Sequence, residues 1–189
     1  MTRSLASLIG RTPLAALQRF WRDEGGVTAI EFALLAPPFF ALIGMLLEAS
    51  VMFLSAQMLD SAVHDATRRI RTGQVQSAKL SLPQFQALIC ERLFGMFDCS
   101  AMQISVTPIA DFKSIDISPP VNLSCTASCP WTMPPAFDAG IGSSTMLVRV
   151  YYKWPLVLGV PFPLPNKLGD GSILMGAVDV FRNEPFGGV

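Results

Sequence analysis

The chain has 189 residues, of which 51% are hydrophobic and 15% charged, against about 25% charged in an ordinary soluble domain. Basic and acidic residues balance at 14 each, so the basic face that a nucleic-acid partner requires is absent from the composition. This length accommodates one domain and an anchor rather than two substantial domains, and a mean hydropathy of +0.44 points to a membrane component.

In chain order, the first element is a polar, basic leader over residues 1–26, carrying Arg3, Arg11, Arg19 and Arg22 and ending Asp23-Glu24-Gly25-Gly26. An apolar stretch follows at once. From Val27 to Leu59 the only charged residues are Glu31 and Glu48. As a helix that stretch would measure about 50 Å, longer than the hydrocarbon core of about 30 Å, so it spans a membrane with turns to spare. Its large apolar residues cover every face, where a surface helix would show a stripe. Pro37-Pro38 inside the run predicts a kink, which membrane helices tolerate.

Basic residues flank the span on both sides, Arg68, Arg69, Arg71 and Lys79 lying beyond it. The leader charges stand closer to the apolar core, which favours a cytoplasmic N-terminus and an exported C-terminal part. A secretory signal peptide fits poorly. The apolar run is too long, the polar part before it extends over 26 residues, and no small-residue cleavage site follows.

The entry to the span reads Gly25-Gly26-Val27-Thr28-Ala29-Ile30-Glu31-Phe32-Ala33-Leu34-Leu35-Ala36-Pro37. A carboxylate at a membrane helix costs about 2.5–3.5 kcal/mol at the centre and less near an end. An isolated glutamate would reach back to the interface. Here the spacing offers more: a cut after Gly26 would give Val27 a free ammonium one helical turn from Glu31, so that the two charges offset each other within one subunit or between neighbours.

This arrangement resembles the type-III prepilin signal of the type IV pilin superfamily. The longer string resembles the TadE-like family of the tight-adherence (Flp) pilus locus, whose core positions are matched by Gly26, Ala29, Glu31, Phe32, Ala33 and Pro37. Glu48 matches the family's late glutamate, Ala66 to Gln74 resembles its helix end, and Val180 to Phe186 is similar to its C-terminal ending; Pro38 departs from the pattern by doubling the proline. The resemblance implies a non-enzymatic minor pilin or pseudopilin of the bacterial inner membrane. Its partners would be a membrane prepilin peptidase cutting between Gly26 and Val27, other pilin subunits, the pilus assembly platform and membrane lipid. It implies no cofactor, and Glu31 would act in assembly.

The expected fold is α+β. A long N-terminal transmembrane helix and its continuation occupy residues 27–73, and an exported domain occupies residues 74–189. Gly73 is the helix stop. A short helix from Pro83 to about Phe97, with Phe85, Leu88, Ile89, Leu93 and Phe94 on its apolar stripe, packs on an antiparallel sheet of about three strands: Met102–Ile109, Thr145–Trp154 and Ser172–Arg182. Residues 111–143 read as irregular loop and 155–171 as a proline-rich turn region.

All four cysteines, Cys90, Cys99, Cys125 and Cys129, follow the span, where export would favour disulfides over buried thiols. Three pairings are open; the local one, Cys90 with Cys99 and Cys125 with Cys129, is favoured. His64 is the one histidine and reads as a surface or packed residue, too little for a catalytic triad or a zinc site. Asp98, Asp111 and Asp116 read as solvated loop carboxylates. Two other readings stand beside the pseudopilin: an uncleaved TadE-like or TadG-like anchored scaffold, and an exported thiol–disulfide or binding protein on a simple anchor.

Overall fold

The computed structural model describes residues 26–110, 115, 118–158 and 167–187. The leader up to Gly25, and with it Asp111 and Asp116, lies outside the described residues. Two compact units divide at Gly44 and Met45.

Helix α1 runs Val27–Arg71 and continues through Pro37 and Pro38. Each proline lacks an N–H, so the carbonyls of Ala33 and Leu34 lose their usual donor four residues on. In the first unit every side chain of α1 is exposed or partly so, with Phe32, Leu34 and Leu35 about 70% accessible. No residue of the most apolar window of α1 is buried, and by length and composition this stretch is a candidate membrane span.

In the second unit α1 changes character. From Ser55 onward Leu59, Ala62, Val63, Ala66 and Ile70 turn to the core at helical spacing. The helix stops where expected: Gly73 adopts φ +77, and the ring of Phe186 lies across it where a Cβ would stand. A single turn, α2 (Gln74–Ser77), leads to α3 (Leu82–Cys90), which opens with a capping box between Ser81 and Gln84 and a proline in its first turn.

Helix α3 ends at Cys90, short of the expected Phe97. Phe94 and Gly95 both have positive φ, a conformation that no α-helix continues. Phe94 consequently leaves the expected stripe and is 82% exposed, while Phe85, Ile89 and Leu93 are buried. A 3-10 turn, Cys99–Ala101, is capped by the Asp98 carboxylate and leads into the sheet.

The sheet contains β1 (Gln103–Ile109), β2 (Ala136–Phe137), β3 (Thr145–Pro155) and β4 (Ser172–Arg182) in the order β2-β1-β3-β4. The three expected strands form an antiparallel meander, Val106 opposite Val148 and Val150 opposite Ala177. The two-residue β2 adds a parallel edge inside the segment read as loop, making the sheet mixed.

One face of the sheet (Ile104, Val106, Met146, Val148, Val150, Tyr152, Met175 and Ala177) meets α1 and α3 in a single core. Phe97, Tyr152 and Trp154 pack edge-to-face within it. A smaller cluster of Val121, Cys129 and Leu168 gathers Cys125, Trp131 and Leu174 around it. The sulfurs are joined locally, Cys90 to Cys99 and Cys125 to Cys129.

Candidate functional site

The entry of α1 places Val27 in its first turn and Glu31 four residues on, on the same helical face and about 6 Å along the axis. Both are exposed. Glu31 has no hydrogen-bond or ion-pair partner among the described residues, although it adjoins a long apolar surface. At Gly26 φ is not left-handed, and among the described residues a Cβ added there would meet nothing within 4 Å.

The second glutamate of the apolar stretch is handled differently. The Glu48 carboxylate accepts hydrogen bonds from the backbone N–H of Val157, 2.6 Å from Oε1, and of Leu158, 3.2 Å from Oε2. Two amide donors thus offset a charge that would otherwise stand bare on an apolar helix.

A polar cluster lies farther along α1. The Thr67 hydroxyl donates to Asp179 Oδ2 at 2.6 Å, and His64 Nδ1 stands 3.0 Å from the same oxygen. Asp179 occupies an inward position of β4, opposite Val148, and so brings a carboxylate against the helix in an otherwise apolar row. Arg68, Arg71, Val180 and Phe181 complete a shallow depression around it. Arg71 also approaches Glu184 at 3.8 Å, while the Arg71 carbonyl accepts from the Glu184 N–H, tying the C-terminal tail to the helix end.

Among the described residues no three histidine, cysteine or acidic side chains converge as a metal site would require. Asp98 is held below its ordinary range by the Ser100 hydroxyl and N–H that it accepts from. At Asp170 burial pushes upward, but hydrogen bonds from Ser172 and the charge of Lys153 outweigh it, and the carboxyl titrates below its usual range. Both carboxylates cap turns, Asp98 ahead of the 3-10 turn and Asp170 ahead of β4.

Gly26, Val27 and Glu31 thus stand together at the entry, whereas the four cysteines belong to the second unit and staple its loops. The sequence shows Glu48 but not its partners. Asp179 is absent from the candidates drawn from the sequence, although the alternation Ile173, Met175, Ala177, Asp179, Phe181 marks that residue as an inward-facing acid.

Comparison with protein families matches residues 26–68 to the model described as TadE-like protein. Neither curated proteins nor solved structures give a significant match. The matched stretch contains the entry residues, the candidate span, Glu48 and the start of the core-forming half of α1. Residues 26–68 of this chain are thus similar to the TadE-like family.

Proposed function

We propose that the protein is a structural, non-enzymatic component of a tight-adherence pilus system, a membrane-anchored minor pilin or pseudopilin processed after Gly26 by a prepilin peptidase. The observation that carries this reading is the entry of α1 within the TadE-like match. Among the described residues Glu31 stands exposed and without a partner one turn from Val27, and a Cβ at Gly26 would meet none of them. Cleavage would supply the missing partner as the Val27 ammonium, on the same chain or a neighbour, and pairing in an apolar bundle would offset both charges. In this reading the leader is cytoplasmic, the span holds the precursor in the bacterial inner membrane, and the sheet-bearing unit is periplasmic. That unit would offer contact surfaces to other subunits and to the assembly platform.

The test is the intact mass and N-terminal sequence of the protein taken from membranes with and without the peptidase. A peptidase-dependent start at Val27 supports the proposal. An intact leader in both strains overturns processing and leaves an anchored scaffold. Glu31→Gln, which keeps the shape and removes the charge, is expected to abolish assembly while leaving the second unit folded; normal piliation by that variant would rule out the pairing.

A further inference from the structure

The contact between Glu48 and the segment after β3 fixes the height of that segment along the helix. Leu156, Val157 and Leu158 follow Pro155 and are apolar, with Val157 88% and Leu158 54% exposed. The backbone N–H groups of both reach the Glu48 carboxylate. Side chains of a helix lean toward its N-terminus, so this carboxylate lies on the span side of its own Cα.

The helix remains apolar and exposed past that level. Val51, Phe53 and Leu54 are 45%, 69% and 55% accessible, and the first fully buried residue is Ser55. Leu54 lies about 9 Å farther out along the axis than Glu48. From Ile30 to Leu54 the exposed apolar stretch measures about 36 Å, against a hydrocarbon core of about 30 Å. Residues 156–158 therefore stand no farther out than the apolar boundary of the helix itself. With α1 as a span, exposed aliphatic side chains at that height would face acyl chains and the ester layer rather than bulk water.

We infer that the apolar stretch Leu156, Val157 and Leu158 is a second membrane contact, inserted in the outer part of the bilayer that α1 crosses, with Glu48 as the staple holding it at that depth. The ligand is a lipid surface. Glu48 acts here as a positioning residue: it satisfies two backbone donors that would otherwise enter the interface without acceptors, as a membrane environment demands. Two points of attachment would restrain the orientation of the second unit relative to the bilayer, which one helix alone leaves free to rotate. This inference rests on the reading of α1 as a span.

The experiment places a photoreactive benzophenone amino acid, in separate full-length variants, at Phe40, Val157 or Ile141, with the protein reconstituted in vesicles of phosphatidylethanolamine and phosphatidylglycerol. Phe40 is on the exposed part of the span. Ile141 is an equally apolar control, 74% exposed, whose carbonyl is held by Asn183 near the Arg71 end of α1, about 34 Å of helix beyond Glu48. Illumination is expected to give lipid adducts at Phe40 and at Val157, each several-fold above Ile141. Glu48→Ala is expected to lower the Val157 yield several-fold and leave the Phe40 yield unchanged. Lipid adducts at Phe40 but none at Val157, or adducts at Val157 to a second copy of the chain, would overturn the inference and leave the span intact. Absence at Phe40 as well would remove the span and the inference with it, and an undiminished Val157 yield in Glu48→Ala would refute the staple.

Discussion

The Asp179 cluster permits a ranked prediction, because three side chains meet there with different burial. Thr67 is 2% exposed, and its hydroxyl donates to a carboxylate whose side chain is only 20% exposed. A hydrogen bond to a charged group contributes about 1.5–3 kcal/mol, with the upper half expected where the donor is buried. His64, by contrast, is 66% exposed, and an ion pair of that exposure contributes about 0–1 kcal/mol. Asp179→Ala should therefore cost about 2–3 kcal/mol, because Thr67 keeps only the His64 carbonyl at 3.0 Å as an acceptor. Asp179→Asn retains an acceptor and should cost about half as much, and His64→Ala less than about 1 kcal/mol. Urea unfolding of the full-length protein in detergent micelles, followed by tryptophan fluorescence, reads all three. A double-mutant cycle of Thr67→Val with Asp179→Ala should return a coupling above about 1 kcal/mol. The reasoning fails if His64→Ala costs as much as Asp179→Ala, or if the cycle shows no coupling.

Further predictions follow from the loops and turns. Removing the Cys90–Cys99 link by paired serine substitution should cost about 2–3 kcal/mol, and removing Cys125–Cys129 about 2 kcal/mol from its shorter loop, both measured by unfolding of the full-length chain. Gly73→Ala should destabilise by about 1–2 kcal/mol from its positive φ and the Phe186 ring 2.9 Å from the new Cβ; in a Phe186→Ala background the cost should fall to the conformational part, about 1 kcal/mol. Asp98 and Asp170 have folded-state pKa values below the ordinary 3.8, so each contributes stability that is complete above that value and is lost as pH falls through the lower folded value. Thermal melts from about pH 6 to about pH 3 should accordingly fall less steeply in Asp98→Asn and Asp170→Asn than in the parent, and parallel curves would exclude the assignment.

The elements legible in the sequence are those specified by local signals. The apolar run with no polar face predicts α1, and Gly73 predicts its end. Period-two alternation predicts β3 and β4 nearly to the residue. What escaped depends on partners distant in the chain. Strand β2 is two residues in a proline-rich segment, and only pairing with Ser105 and Val106 makes it a strand. The apolar stripe continues to Phe94 and so overstates the length of α3, whereas positive φ at Phe94 and Gly95 turns the chain back toward the Cys99 link. The amide donors to Glu48 come from residues more than a hundred positions away, beyond the reach of any periodicity.

The two glutamates of the apolar stretch pose the same electrostatic problem and meet it differently. Each places a carboxylate on a stretch of helix whose large exposed side chains are hydrocarbon, where an unpaired charge is costly. Glu48 is satisfied from within the chain by the amides of Val157 and Leu158, so replacing it should loosen a loop and leave the entry untouched. Glu31 has no such donor among the described residues. Its compensation comes from outside the described residues, and in the reading proposed above it is the cation that processing creates. That contrast separates the two positions experimentally. A neutral residue at 48 should act on the second unit of the monomer before any assembly, whereas a neutral residue at 31 should leave the monomer unchanged and act only when subunits come together. If Glu31→Gln instead altered the unfolding of the isolated protein as Glu48→Ala does, both glutamates would be parts of one folded structure, and the assembly role proposed for Glu31 would lose its physical basis.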